Sequence, residues 1–136
     1  MATQDEHAFE ETLNAYVEEQ TKEFSRASTP LRLALSGSIE ATQQPYIVGL
    51  TNITGQDLNW QIFYGLVGNP NVEHTGRHPL PNNAQSGLQL GGPGDCNRVT
   101  AYRLLVDDGN AIVADTGNVV AHQNPATPCF DAYVIQ

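Results

Sequence analysis

The chain has 136 residues, ordinary apolar content, few charged side chains and a formal charge of −9 at pH 7. That length suits one domain able to bury a core without staples, and the composition excludes a disordered tail or a coiled coil. One lysine (Lys22) and five scattered arginines (Arg26, Arg32, Arg77, Arg98, Arg103) speak against nucleic acid and anionic lipid as partners, and no apolar run approaches the roughly 18 residues of a membrane span.

The first segment reads as a helix over about 4–26. Thr3-Gln4-Asp5-Glu6 fits a capping box, and acidic residues in the first turn suit the positive end of the helix dipole. Phe9, Leu13, Tyr16, Val17, Gln20 and Phe24 recur at helical spacing and form one apolar stripe. Glu18 and Lys22 stand four apart in the favourable order. Ser28-Thr29-Pro30 ends the helix, because a residue before proline avoids the α region. Asp5, Glu6, Glu10, Glu11, Glu18, Glu19 and Glu23 crowd this segment. Such a run reads first as a solvated face and second as an acidic interaction arm. Met1-Ala2-Thr3 has neither basic n-region nor apolar h-region, so the expectation is a cytoplasmic or leaderless-secreted protein.

After Pro30 the period changes from 3.6 to 2. Leu31, Leu33 and Leu35 alternate with Arg32, Ala34 and Ser36, as a half-buried strand does. Tyr46 to Ile53 gives a second strand. A third sets Leu58, Trp60, Ile62, Tyr64 and Leu66 on one face against Asn59, Gln61 and Phe63 on the other, with Thr54-Gly55-Gln56-Asp57 as the joining turn. Residues 68–86, rich in Asn, Pro and His, read as one long loop, which signals either function or a missed short element. Strands near Ser86–Leu90, Arg98–Val106, Asn110–Asp115, Asn118–Ala121 and Cys129–Ile135 follow, with Asp107-Asp108-Gly109 as a strong hairpin signal.

The fold class is therefore mainly β: a sandwich, Ig-like or jelly-roll-like, of about seven or eight short antiparallel strands over residues 29–136. One amphipathic helix over residues 1–28 precedes it. Its stripe must be buried either on a sheet of its own domain or in an isologous homodimer. Flanking carboxylates disfavour a parallel helix pair, so docking on its own domain is the leading reading. Cys96 and Cys129 are candidates for a disulfide worth about 4 kcal/mol on the chain-entropy argument; two reduced thiols are the competing reading.

Few residues carry chemistry. His74-x3-His78 is the only metal-like spacing, but Gly76, Pro70 and Pro79 argue against the helix on which such a pair shares a face. Further ligands would have to come from Glu73, Asp95 or His122, so no metal and no cofactor is expected, with His74 and His78 as weak candidates. Asp107-Asp108-Gly109-Asn110 has calcium-type oxygens, but turn geometry explains each residue. No Gly-x-Ser-x-Gly elbow or P-loop is present, and Asp95 beside Cys96 works against an activated thiol. The sequon Asn52-Ile53-Thr54 opens a turn.

Trp60 and Tyr64, with Asn and Gln nearby, have the makings of a sugar platform, although alternation with Leu58 and Ile62 places Trp60 first in the core. The leading functional expectation is a non-catalytic, lectin-like recognition module binding a glycan or protein ligand through its loops. Trp60, Tyr64, Asn69, Asn71, His74, His78, Asn82 and Asn83 are its candidate ligand residues. The alternatives are a metal-dependent or carboxylate-based hydrolytic enzyme and an assembly subunit docking through the acidic helix.

Overall fold

A computed structural model describes residues 4–38, 45–121 and 129–136. The capping box built on Thr3, and His122 as a named metal partner, lie outside the described residues. The element order is α1 (Gln4–Gln20), β1 (Ser25–Arg26), β2 (Leu33–Ser38), β3 (Tyr46–Asn52), β4 (Leu58–Leu66), β5 (Glu73–His74), β6 (His78–Leu80), β7 (Gln85–Leu90), β8 (Val99–Asp107), β9 (Ala111–Asp115), β10 (Val119–Val120) and β11 (Phe130–Ile135).

These strands make two sheets. Sheet A has the order β1-β9-β8-β4-β5, with β10 also on β8 and β6 also on β4. Sheet B has the order β2-β11-β3-β7. The alternation read in β4 is the reason the layers form. Leu58, Trp60, Ile62 and Tyr64 point between the sheets, where they meet Tyr46, Val48, Leu50, Leu88, Leu90, Tyr133 and Ile135 of sheet B. Phe63 points the other way and joins Leu105 and Ile112 under the helix. Leu13 and Val17 of α1 are fully buried there, with Phe9, Tyr16, Phe24 and Val72 around them. The result is a sandwich with a helix laid across one outer face, and the apolar stripe of α1 is spent on its own chain. No helix among the described residues is long and apolar enough to cross a membrane.

Three expectations change. The helix stops at Gln20, not near residue 26. The Thr21 N–H and hydroxyl both bond to Val17 C=O, and the Phe24 N–H bonds to Thr21 C=O. This turn swings Phe24 back onto the apolar cluster and frees Ser25–Arg26 to pair with β9. Lys22 consequently pairs with Glu19 at 2.8 Å, not with Glu18.

The strands are not all antiparallel, because β11 runs parallel to β3 and β1 parallel to β9. Parallel neighbours need a long crossover, a relation that local turn signals do not reveal.

Residues 68–86 are not one loop. Glu73–His74 and His78–Leu80 are short strands pairing antiparallel with β4, and the chain reverses between them with Gly76 at φ +84°.

Local hydrogen bonds fix the remaining turns. Asn52 is fully buried; its amide donates to Gln56 and Leu80 carbonyls, and its carbonyl accepts from the Thr54 N–H and hydroxyl. The sequon asparagine is thus saturated inside a turn. Cys96 and Cys129 are joined as a disulfide, with Cα atoms 5.5 Å apart, and both are buried. Nearby, Asp131 accepts hydrogen bonds from the Tyr46 and Tyr102 hydroxyls at 2.6 and 2.7 Å, and Tyr102 also shares one with Tyr133. Burial, and then Tyr133, push the Tyr102 phenol far above its ordinary pKa, so it serves as a neutral structural hydroxyl.

Candidate functional site

One groove stands out on the outer face of sheet A, beside the first half of α1. It encloses about 640 Å³ and opens to solvent. Its floor follows from strand register: Val120 of β10 pairs with Ala101 of β8, and Ala101 pairs with Gly65 of β4. Small residues in the middle of this row let the helix approach. The Phe9 ring lies so close over Gly65 that a Cβ there would collide with it, the close-approach role a strand glycine often has. Phe9, Glu10 and Thr12 form one wall, and Leu66, Val67, Gly68, Asn69 and Pro70 form the other. Asn69 closes its own bend, with its side chain donating to Glu73 at 2.9 Å and accepting the Asn71 N–H.

The chemistry of this groove is apolar. Val67 is 55% exposed and Val120 54%, although both are apolar and border one concavity. Among the described residues Glu10 is the only charged side chain in the lining, and Glu11, Glu18 and Glu19 stand exposed elsewhere on the same helix. Among the described residues no pair of carboxylates and no nucleophile–base pair faces the groove.

The residues singled out from sequence do not converge. Trp60 has no exposed surface, so it is a core residue and offers no ring face to a ligand; its Nε1 is buried without a hydrogen-bond partner. Tyr64 is 7% exposed, and its hydroxyl accepts the Gly91 N–H at 2.9 Å. Burial pushes its phenol above the ordinary value. Asn69 and Asn71 sit where β4 ends. Asn82 and Asn83 sit where it begins: Asn82 accepts the Gly55 N–H and the Asn83 N–H donates to Asn52 C=O. These two groups are therefore separated by the length of β4 (Leu58–Leu66), about 25 Å at 3.3 Å per residue.

The two histidines are parted by the Gly76 bend. His74 stacks on Phe63, centroids 4.2 Å apart and planes 3° from parallel, and its Nε2 donates to Gln61 Oε1 at 2.9 Å. Burial, and then His78, hold its pKa below the ordinary histidine value. His78 is exposed, and its Nε2 donates to Thr75 C=O. Among the described residues no group of three His, Cys, Asp or Glu side chains could hold a metal ion.

The Asp107–Asn110 oxygens are likewise committed. Asp107 takes a two-pronged bond from Arg77 and the Gly109 N–H, and Asp108 caps the Asn110 and Ala111 amides.

Sequence reasoning missed the residues that shape the groove, namely Gly65, Ala101 and Val120. An isolated glycine in an otherwise apolar strand was the available signal. No family model, no curated protein and no solved structure matches this chain.

Proposed function

We propose that this protein is a non-catalytic recognition module that takes an apolar side chain of a protein ligand into the groove between α1 and the bend at residues 67–70. The observation that carries this reading is the exposed pair Val67 and Val120, which border one concavity with Ala101 between them and the Glu10 carboxylate in its lining. Apolar side chains left in solvent around a concavity mark interaction sites, and a pocket of this size suits one or two side chains. Glu10 in the lining and the exposed glutamates along α1 support a ligand with lysine or arginine next to its apolar anchor, attracted at low salt and less so at high salt. A glycan fits less well, because the groove lining holds no Trp or Tyr ring on which a sugar could stack.

Fluorescence polarisation against short peptides that vary the anchor (Leu, Ile, Phe) and its flanks (Lys, Asp) tests the proposal. Lys-flanked peptides are expected to bind, and Val120→Glu to weaken them by about tenfold or more, as burial of a charge in an apolar site does. The melting temperature should stay within a degree or two. A Val120→Glu protein that binds as tightly as the parent, or a preference for Asp-flanked peptides, rejects this reading.

A further inference from the structure

We infer that β7 is the strand through which two copies of this chain join edge to edge, forming one continuous sheet across a two-fold axis. This surface belongs to sheet B and is independent of the groove on sheet A.

The first observation is charge. In a chain of formal charge −9, the four strands of sheet B carry a single charged side chain, Asp131, and it turns inward to Tyr46 and Tyr102. Two acidic molecules can approach along this sheet without bringing carboxylates together, whereas their helices repel.

The second observation is that, among the described residues, β7 is an unguarded edge. Exposed edges are normally protected by shortness, charge, proline or a bulge. The other edges of the described sheets all show such a device. β1 and β10 have two residues each, and β1 holds Arg26; β5 has two residues and includes Glu73; β6 has three and includes Pro79. β2 is as long as β7, but its pairing with β11 is broken by a register shift between Ala132 and Tyr133. β7 is six residues of unbroken register, Gln85-Ser86-Gly87-Leu88-Gln89-Leu90, with no charge and no proline. Gln85, Ser86, Gly87 and Gln89 are exposed.

The third observation gives the register. The Asn52 N–H donates to Ala84 C=O at 2.9 Å at the end of the β3–β7 ladder. Alternation from that pair directs the amides of Ser86, Leu88 and Leu90 toward β3, and those of Gln85, Gly87 and Gln89 outward. An antiparallel copy centred on Gly87 sets Gln85 opposite Gln89 of the second copy and Gly87 opposite itself. All three outward residues then exchange both bonds, about six in total, and glycine at the axis places no side chains against each other. Edge pairing alone covers less than the roughly 800 Å² per partner of a standard interface, so the dimer forms at high concentration.

Sedimentation velocity from low micromolar to near-millimolar protein is expected to show the mass rising from 14.7 kDa toward the dimer. Amide exchange at Gln85, Gly87 and Gln89 should slow over the same range, while Ser86, Leu88 and Leu90 stay unchanged. The double variant Gln85→Lys/Gln89→Lys sets two lysines opposite each other twice, and should weaken association by about tenfold although it lowers the net negative charge. Gln20→Lys adds the same kind of charge at an exposed site on the helix, away from both the groove and β7, and should associate like the parent. A monomer at every concentration, equal association of the double-lysine variant, or protection of Gln85, Gly87 and Gln89 already complete at the lowest concentration would each overturn the assignment.

Discussion

The two outer faces of the sandwich are treated in opposite ways. On sheet A the outer face carries Phe63, Leu105 and Ile112, and α1 covers it with Leu13 and Val17. Around this cover sit the ion pairs: Arg103 holds Asp115 with two hydrogen bonds and reaches Asn14 on the helix, and Arg77 holds Asp107 while its guanidinium lies 5.5 Å over the Phe24 ring. On sheet B the outer face presents Ala34, Ile47, Gly49, Thr51, Gln85, Gly87, Gln89, Phe130, Ala132 and Val134, with no charge among them, and the Phe130 ring lies over Gly49. Phe63, Leu105 and Ile112 lie under the helix, whereas on sheet B the apolar Ile47, Phe130 and Val134 stand among small or uncharged polar residues. The face most crowded with charge is the one the chain closes itself, and among the described residues no helix closes the bare one.

The helix cover gives the largest expected effect. Leu13 has no exposed surface, and truncating a buried leucine costs about 2–5 kcal/mol in transfer and cavity terms. Leu13→Ala should therefore lower the unfolding free energy by about that amount in a urea titration. A loss below about 1 kcal/mol would mean that α1 is only loosely applied, and that the two faces differ less than the buried contacts imply.

The cover should also be the pH-sensitive part of the molecule. The folded state holds His74 below the ordinary histidine pKa, so it resists protonation more than the unfolded chain does. The unfolded chain then binds more protons, and stability must rise with pH in that window. The His74 contribution is thus present above about pH 6.5 and is lost as pH falls toward the lower folded value. At Asp115 burial alone would raise the pKa, but bonds from Arg103, the Gly117 N–H and Arg26 outweigh it and hold the carboxyl below its usual range. Its contribution is present above about pH 4 and is lost as pH falls below that. Melting temperatures from pH 8 to pH 3 should fall in two stages, and His74→Gln should flatten the upper one while leaving the lower. An unchanged upper stage in that variant would assign it to another group.

Much of this contrast was legible in the sequence, and the unreadable parts share a cause. Alternation in β4 separated Trp60 from Phe63, because a strand facing two buried layers records both along a single run. The stripe Phe9-Leu13-Tyr16-Val17 was readable for the same reason, at the helical period. What could not be read depends on partners distant in the chain. Parallel pairing of β3 with β11 joins residues more than eighty positions apart. β5 and β6 are too short for any period to show, so they read as loop. Apart from Trp60 and Tyr64, the candidate ligand residues were drawn from composition in that apparent loop, and pairing with β4 sends Asn69 and Asn82 to opposite ends of the strand. The groove was hidden because its lining joins Ala101 and Val120 of two paired strands to α1 and to the bend after β4.

The smallest expected effect tests the bare face. Val134 lies on β11 between flanking strands, pairs with Thr51 of β3 and Ala34 of β2, and is only partly buried. Val134→Thr keeps the β-branched shape that the strand prefers and replaces a methyl by a hydroxyl. In a closed core this exchange is costly, because the hydroxyl loses water. On a face open to solvent the hydroxyl stays hydrated, and the change should lie within about 0.5 kcal/mol in dilute protein. Urea titrations at low and high protein concentration separate two cases. A small loss at both keeps the outer face of sheet B bare, even when β7 pairs at its edge. A loss near 2 kcal/mol in dilute solution would mean that the chain covers this face itself, and the contrast between the two sheets would fail.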